Sequence, residues 1–545
     1  MRNHFLRASG TAATGGDGGG GGDSGGGGAT CGANDSGGTN EWAFTTARGY
    51  LLAYERDFTS SIDTSNNISY HATTHNNKFF VRKITNTGTI SWNKQISCSD
   101  WTYFKARKGH SLSNGKQIFT GPAQYGSGDF RVTVVCINAD STINWCKSLE
   151  STGTADLNST ANKAEITYLD VDGNDNIYLT VSDTYNNFYK LSSSGALSWF
   201  KIYKHQDENN STQTGVNKPY VTGMVVDNSY IYALYLKRNH RYGFLLVLNT
   251  SDGSVYTKRW VTNDSTYSDR DKYWGYRGKS YEPSHLTIDG SSNLYVSYIC
   301  NNSSNYIQNL YLAKIDSSLN SISWSKEYTI SDYYIKSPGN TPSGAGIART
   351  TGNGNIIFAA IGAKVSNQNY ATLIIGVFNS SGELSWQRNV TGHDDQYPHP
   401  FRTINSLEGD SADHFYITTS LPWTGSLHGN TSYSFYQMVG ESLLKHTTCS
   451  APTANSTFFS SSAGSSLPSG ETGWSEFMDD SLIGGEATGD FQVSSSAYTD
   501  QSSYLADVSD FTTTISGYYG LSATSHTLTV ADISSSDDNK ELDHI

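Results

Sequence analysis

From about residue 41 to 450 the chain is a succession of short apolar runs broken by polar turns rich in Gly, Asn, Asp and Ser. The apolar positions alternate with a period of two, which predicts strands joined by tight hairpins rather than helices. One hairpin recurs with a tryptophan at its end: KITNTGTISWNK to Trp92, CINADSTINWCK to Trp145, KLSSSGALSWFK to Trp199, KIDSSLNSISWSK to Trp324 and VFNSSGELSWQR to Trp386. A weaker copy, VLNTSDGSVYTKRW, has Thr257 where the register predicts tryptophan. The spacing, roughly fifty to sixty residues, predicts a repeat architecture of propeller blades.

Gly88, Gly195 and Gly382 stand four residues before their tryptophans, and Asn320 takes that place in its copy. A tight hairpin needs a positive φ there, which Gly and Asn tolerate best. Each tryptophan shares a strand face with the residue two before it (Ile90, Ile143, Leu197, Ile322, Leu384), which predicts packing between blades. Each repeat also has a first half, as in LDVDGNDNIYLTVSD at 169–183 and LTIDGSSNLYVSYI at 286–299. Two strands from each half make a four-stranded blade. Six full units are expected from about Glu41, with GYLLAYERD as the second strand of the first, and a seventh near residues 400–448. The expected fold is therefore all-β, a seven-bladed β-propeller of four-stranded blades.

These DGN-type turns and Gly-x-x-x-Trp hairpins resemble the β-propeller repeats of the SBBP and quinoprotein-like type, over roughly three quarters of the chain. The resemblance implies the fold and leaves function open, because such repeats serve dehydrogenases, scaffolds and adhesins alike. A quinone cofactor would need a central constellation of residues that the sequence does not identify.

Outside the repeats the composition changes. Residues 1–40 include a glycine tract, Gly15 to Gly28, broken only by Asp17, Asp23 and Ser24. It is expected to be a flexible tether between an anchor, with Phe5 and Leu6 as its apolar pair, and the propeller. Residues 451–545 are Ser-rich and poor in Lys and Arg, and read as a small β appendage with a disordered tail.

Charge and cysteines exclude more than they select. A net charge of −13 without a basic cluster argues against nucleic acid as a partner. No apolar run approaches the ~20 residues of a membrane helix. MRNHFLRASG has no apolar core after its basic residues, so a secretory signal is not expected. The six cysteines show no CxxC spacing, and only Cys136 and Cys146 flank a common hairpin, where free thiols are preferred to a disulfide.

In a four-stranded blade, the turns within each half share one face of the disc, and the remaining connections share the other. Those remaining connections are the long ones, at 55–77, 205–220, 261–283, 327–345 and 387–400. Long loops on one side of a rigid scaffold are where binding is expected. They supply the candidate ligand- or receptor-binding residues Trp101, Tyr103, Asp271, Tyr273, Trp274, Tyr276, Arg277, Tyr397, His399 and Trp423. Exposed Trp and Tyr beside Asp and Arg suit stacking on sugar rings or anchoring a protein partner. Pinning of the loops to the disc is the competing role.

No catalytic residues are expected, because no GxSxG, HExxH or phosphate-binding glycine motif occurs in its required context. His71 and His75 in HATTH lack the zincin glutamate. His393, Asp394, Asp395 and His399 form a weak metal candidate. Asp170, Asp172 and Asp175 in DVDGNDN share the carboxylate spacing of a calcium loop, but the other blades lack these acids, which favours an ordinary turn and no cofactor.

The order of anchor, glycine tether, propeller and Ser-rich extension resembles a bacteriophage virion protein of the tail, a fibre or a surface appendage. Such a protein would be made in the host cytoplasm, join other virion proteins through Phe5 and Leu6, and bind a host receptor, glycan or neighbouring subunit. The alternatives are a non-classically exported bacterial surface propeller that binds polysaccharide, and a glycan-degrading enzyme.

Overall fold

The computed structural model describes residues 42–48, 58–73, 79–87, 90–98, 103–104, 106–125, 129–151, 166–182, 186–203, 219–237, 243–262, 273–274, 284–301, 309–319, 322–330, 333–335, 345–364, 367–391, 403–424, 437–449, 491–495, 499–500, 521–525 and 528–532. Every element among them is a β-strand, so the all-β expectation holds there. The anchor and glycine tether lie outside the described residues.

Six antiparallel sheets are each built around one continuous segment: blade 1 (58–98), blade 2 (103–151), blade 3 (166–203), blade 4 (219–262), blade 5 (273–330) and blade 6 (333–391). A further sheet is composite. Strands Thr403–Gly409, His414–Thr424 and Gln437–Thr447 are completed by Trp42–Arg48, with Trp42 opposite Lys445 and Arg48 opposite Val439. The inner strands contact one another in turn, and the composite sheet touches both blade 6 and blade 1, so the ring closes.

The expectation of seven like four-stranded blades is corrected. Six blades come from continuous chain, and neither end of the chain completes the remaining sheet alone. Strand Trp42–Arg48 does not open blade 1, because blade 1 already has an inner strand at Phe58–Ile62. GYLLAYERD lies outside the described residues. The sheets also carry from four to six strands.

Among the described residues, the C-terminal strands form no sheet of their own. Strands Phe491–Ser495, Thr499–Asp500, Leu521–Ser525 and Leu528–Asp532 join the outer edges of blades 5, 4, 2 and 1 in that order. Each outer edge offers a row of unpaired N–H and C=O groups, and an extended segment satisfies them.

The second strands of blades 3 to 6 bury apolar residues on both faces, because each of these blades is sandwiched between two others. In Ile356–Lys364, residues Ile356, Phe358 and Ala360 pack towards blade 5, while Ile357, Ala359 and Ile361 pack towards the composite sheet. The tryptophans work between blades as expected. The indole N–H of Trp145 donates to the Ser193 carbonyl in blade 3 at 3.0 Å, and that of Trp199 to Thr250 in blade 4 at 3.1 Å. Trp92 reaches Ala139 at 3.2 Å, and Trp386 reaches Thr448 at 2.8 Å. These four outer strands are thereby tied to the next sheet around the ring, whereas the buried indole N–H of Trp324 in blade 5 makes no such bond.

One hairpin differs from its expectation. In blade 5 Leu319 has positive φ (61) and its N–H is bonded back to the Asp316 carbonyl, while Asn320 lies outside the described residues. This hairpin, like that of blade 4, is one residue longer than those of blades 1, 2, 3 and 6.

Candidate functional site

The two faces of the disc are built differently. On one face the turn between inner and second strand is held by an aspartate. The Oδ1 of Asp172 accepts N–H groups of Asn174 (2.9 Å) and Asn176 (3.0 Å), and its Oδ2 accepts the Tyr178 hydroxyl (2.9 Å). Asp289 repeats this with Ser291, Asn293 and Tyr295, and Asp410 with Ala412, His414 and Tyr416. Asp63 accepts Ser65 and Asn67 in the same way, with the Lys83 ammonium 2.8 Å away.

Burial works against the charge of each of these aspartates. The side-chain and backbone donors outweigh it and hold all four carboxyls below the usual range. The sequence Asp-x-x-x-Asn-x-Tyr is thus a turn staple, and its acids are occupied by the fold.

The weak calcium candidate is dispersed by the same chemistry. Asp170 accepts the Val171 and Val226 N–H groups and faces His110, whereas Asp172 closes its own turn. Asp175 (φ 61) accepts both the N–H and the hydroxyl of Ser113 in blade 2. The three carboxylates turn to three different partners. Among the described residues no group of three or more His, Cys, Asp and Glu is placed to hold a metal ion. His71 lies on strand Ile68–Thr73, while His75, His393, Asp394 and Asp395 lie outside the described residues.

The opposite face is elaborated. Antiparallel pairing sends every connection between second and third strands, and every connection between blades, to this side. Three of the expected long loops are corrected. The stretch 55–77 contains the strands Phe58–Ile62 and Ile68–Thr73, 261–283 contains the end of strand Val255–Thr262 and the strand Tyr273–Trp274, and 327–345 contains the end of strand Ile322–Ile330 and the strand Tyr333–Ile335. Their polar Ser/Thr and Tyr-rich composition disguised strands as loop.

Three blades extend towards this face by the same device. In blade 2, Tyr103–Phe104 pairs with the far end of the second strand, Tyr103 opposite Gln124. In blade 5, Tyr273 stands opposite Asn301 and Trp274 opposite Cys300. In blade 6, Tyr333 stands opposite Lys364 and Tyr334 opposite Ala363. Each short strand precedes the inner strand and prolongs the sheet on the elaborated side, and each is aromatic. Phe104 is fully buried and anchors the first of them in the core between blades 1 and 2. Trp423 lies at the far end of strand His414–Thr424, opposite Met438, on the same side of the ring.

The structure therefore places Tyr103, Tyr273, Trp274 and Trp423 on strands at one face. Trp101, Asp271, Tyr276, Arg277, Tyr397, His399, Phe5 and Leu6 lie outside the described residues. Tyr333 and Tyr334 are additional members that the sequence analysis missed. Their signal was present in the aromatic pairs of TYF, KYW and DYY, each of which precedes the inner strand of its repeat.

Cys136 and Cys146 are free and buried. Cys136 faces blade 3 and Cys146 faces blade 1, on opposite faces of one sheet. Burial pushes the Cys136 thiol up to about 12.

No family model and no curated protein matches the chain. Among solved structures it is similar to the Dos1 propeller (8% identity, TM-score 0.35, covering 74% of this chain and 95% of that one). It is also similar to the WD40 domain of SCAP from fission yeast (8% identity, TM-score 0.35, covering 75% and 88%). A third is the Penicillium chrysogenum alpha-L-arabinanase complexed with arabinobiose (10% identity, TM-score 0.35, covering 75% and 98%). The propeller assignment rests on the sheets and the closed ring of this chain itself.

Proposed function

We propose that this chain is a binding propeller whose elaborated face holds a glycan or a protein receptor, and that it serves a bacteriophage particle as an attachment component. A propeller fits a binding role in general, since its rigid ring presents loops without itself having to move. The observation that supports the face is the recurrence of short aromatic strands, Tyr103–Phe104, Tyr273–Trp274 and Tyr333–Ile335, beside the far end of the second strand in three blades. Aromatic rings offer large contact area at low entropic cost and stack on the C–H faces of sugars. The particle assignment is supported by the anchor-and-tether composition of residues 1–40, with Phe5 and Leu6 as the attaching pair.

The test is binding of the full chain to a glycan array and to host-envelope polysaccharide. Binding is expected without turnover, and Trp274→Ala is expected to weaken it about tenfold or more, the usual cost of losing a central aromatic anchor. Equal binding by Trp274→Ala would move the site elsewhere, and release of shortened glycan would replace the adhesive reading with an enzymatic one. Copurification with phage particles, lost on deletion of residues 1–14, tests the particle assignment separately.

A further inference from the structure

Blade 4 departs from the other repeats at two positions, and the two departures meet. In the outer hairpin of each continuous blade the ladder shifts by one residue just before the tryptophan position. The bulged residue is exposed every time. It is small and polar in five blades (Ser91, Asn144, Ser198, Ser323 and Ser385), but in blade 4 it is Tyr256. The second departure is in the inner turn, which is closed by a backbone bond to the carbonyl of Asn67, Lys116, Asn176, Asn293, Asn355 or His414 in the other sheets. In blade 4 that carbonyl belongs to Tyr230.

These two tyrosines stack, with ring centroids 4.4 Å apart and planes at 37°. Tyr232 supports Tyr230 edge-on at 6.1 Å, and its own hydroxyl donates to Asp227 at 2.9 Å. Tyr256 is 55% exposed, and it is the only exposed large hydrophobic side chain among the described residues. Packing does not account for it. The gap that Thr257 leaves towards blade 5 is already filled by Leu319.

Polar groups stand at the same end of the blade. Thr250 ties the outer hairpin to the inner turn, its N–H donating to the Ser229 carbonyl at 2.9 Å and its hydroxyl to the Asn228 carbonyl at 3.0 Å. This brings together the exposed Asn228, Ser229, Ser251 and Asp252. Asp252 uses Oδ1 to accept the Ser254 N–H (2.9 Å) and hydroxyl (2.7 Å), and Asn228 uses Oδ1 to accept the Gly173 N–H (3.0 Å). Asp252 Oδ2, Asn228 Nδ2 and the hydroxyls of Ser229 and Ser251 make no hydrogen bond in the fold.

We propose that the Tyr230–Tyr256 platform of blade 4 binds one neutral sugar ring, stacked on Tyr256, with the turns at 228–229 and 251–252 as its hydroxyl partners. A tyrosine offers about 150–250 Å², well short of the ~800 Å² that a stable protein interface takes from each partner. The platform therefore suits a small ligand and not a protein. An aromatic face receives the C–H face of a sugar, and its hydroxyls match the unbonded donors and acceptors beside it. The bonds from Ser254 hold the Asp252 carboxyl below the usual range, so it is ionised at neutral pH and disfavours an acidic sugar. The site lies on the stapled face and is independent of the elaborated one.

The test is saturation-transfer NMR of the full chain at neutral pH with the methyl glycosides of glucose, galactose, N-acetylglucosamine and glucuronic acid. At least one neutral glycoside is expected to bind, and more tightly than the glucuronide. Tyr256→Ser carries the residue of the other hairpins, so it should melt with wild type yet weaken binding about tenfold or more. Tyr256→Phe keeps the ring and should keep most of the binding. Trp274→Ala, on the elaborated face, should leave it unchanged. Absence of binding by all three neutral glycosides, preference for the glucuronide, or equal binding by Tyr256→Ser and Tyr256→Phe would overturn the assignment, as would loss of binding in Trp274→Ala.

Discussion

The indole of Trp145, on the outer strand of blade 2, occupies the space that a β-carbon on Gly195 of blade 3 would need, only 2.9 Å from that position. Gly195 also has φ +77, where side chains are strained. The glycine thus serves its own turn and its neighbour's tryptophan together. Trp199 with Gly253 and Trp324 with Gly382 repeat the relationship. Blade 4 has Thr257 instead of tryptophan, and the facing hairpin of blade 5 carries Leu319, 3% exposed and packed between the two blades. Where the indole is missing, a side chain fills the gap even at positive φ.

Gly195→Ala should therefore destabilise the propeller by about 1–3 kcal/mol, through backbone strain and displacement of Trp145. Gly290→Ala, where a β-carbon would meet nothing within 4 Å, is the control and should be near neutral. Urea midpoints of the two variants check the difference.

The turn staple predicts a second loss. Asp172→Ala leaves the N–H groups of Asn174 and Asn176 and the hydroxyl of Tyr178 without their acceptor. A cost of about 1–3 kcal/mol is expected, measured by thermal denaturation at neutral pH. The carboxyls of Asp63, Asp172, Asp289 and Asp410 are held low in the fold, so their stabilisation is present above the unfolded value of about 3.9 and is lost as pH falls through the folded values. The gap between wild type and Asp172→Ala should accordingly close in acid.

Glu408 and His110 have the opposite slope. For Glu408, burial and Asp170 raise the carboxyl to about 7, so the fold keeps a proton that the unfolded chain releases near 4.3. For His110, burial opposes the charge, but the bond and charge of Asp170 win and raise it. Both contributions are full below the unfolded values and fade as pH rises through the folded ones. Glu408→Gln should melt higher than wild type at about pH 8 and together with it at about pH 4.

Cys136 and Cys146 should resist alkylation in the folded protein, because both are buried and the Cys136 thiolate is disfavoured up to about 12. Mass spectrometry after iodoacetamide treatment, with and without denaturant, would check this. Modification of either at the native rate of an exposed thiol would contradict the packing between blades 1, 2 and 3.

Much of this fold was legible because its periodic features repeat. The tryptophan at the end of each hairpin and the Asp-x-x-x-Asn turn recur often enough to separate blade from loop. The closure was not legible, since the partner of Trp42–Arg48 lies at the far end of the chain and no local pattern encodes a pairing between Trp42 and Lys445. The same holds for Leu528–Asp532, a short strand whose place on blade 1 depends on an edge formed by residues 94–98. The aromatic face was half legible. Trp274 stood out as a tryptophan in a charged loop, whereas Tyr333 and Tyr334 read as loop filler until the sheet of blade 6 brought them to the same end of the second strand as Tyr103 and Tyr273 in their blades. The His110–Asp170 pair could not be read from sequence, because its partners lie sixty residues apart in different blades.

Hydrogen exchange of the full chain, free and bound to the polysaccharide that it retains, tests the central claim most directly. Protection is expected at the far ends of the second strands and the aromatic strands beside them, around 103–104, 273–274, 300–301, 333–335 and 423–424. Protection confined to the stapled turns at 172–176, 289–293 and 410–414 would place binding on the wrong face and contradict the account.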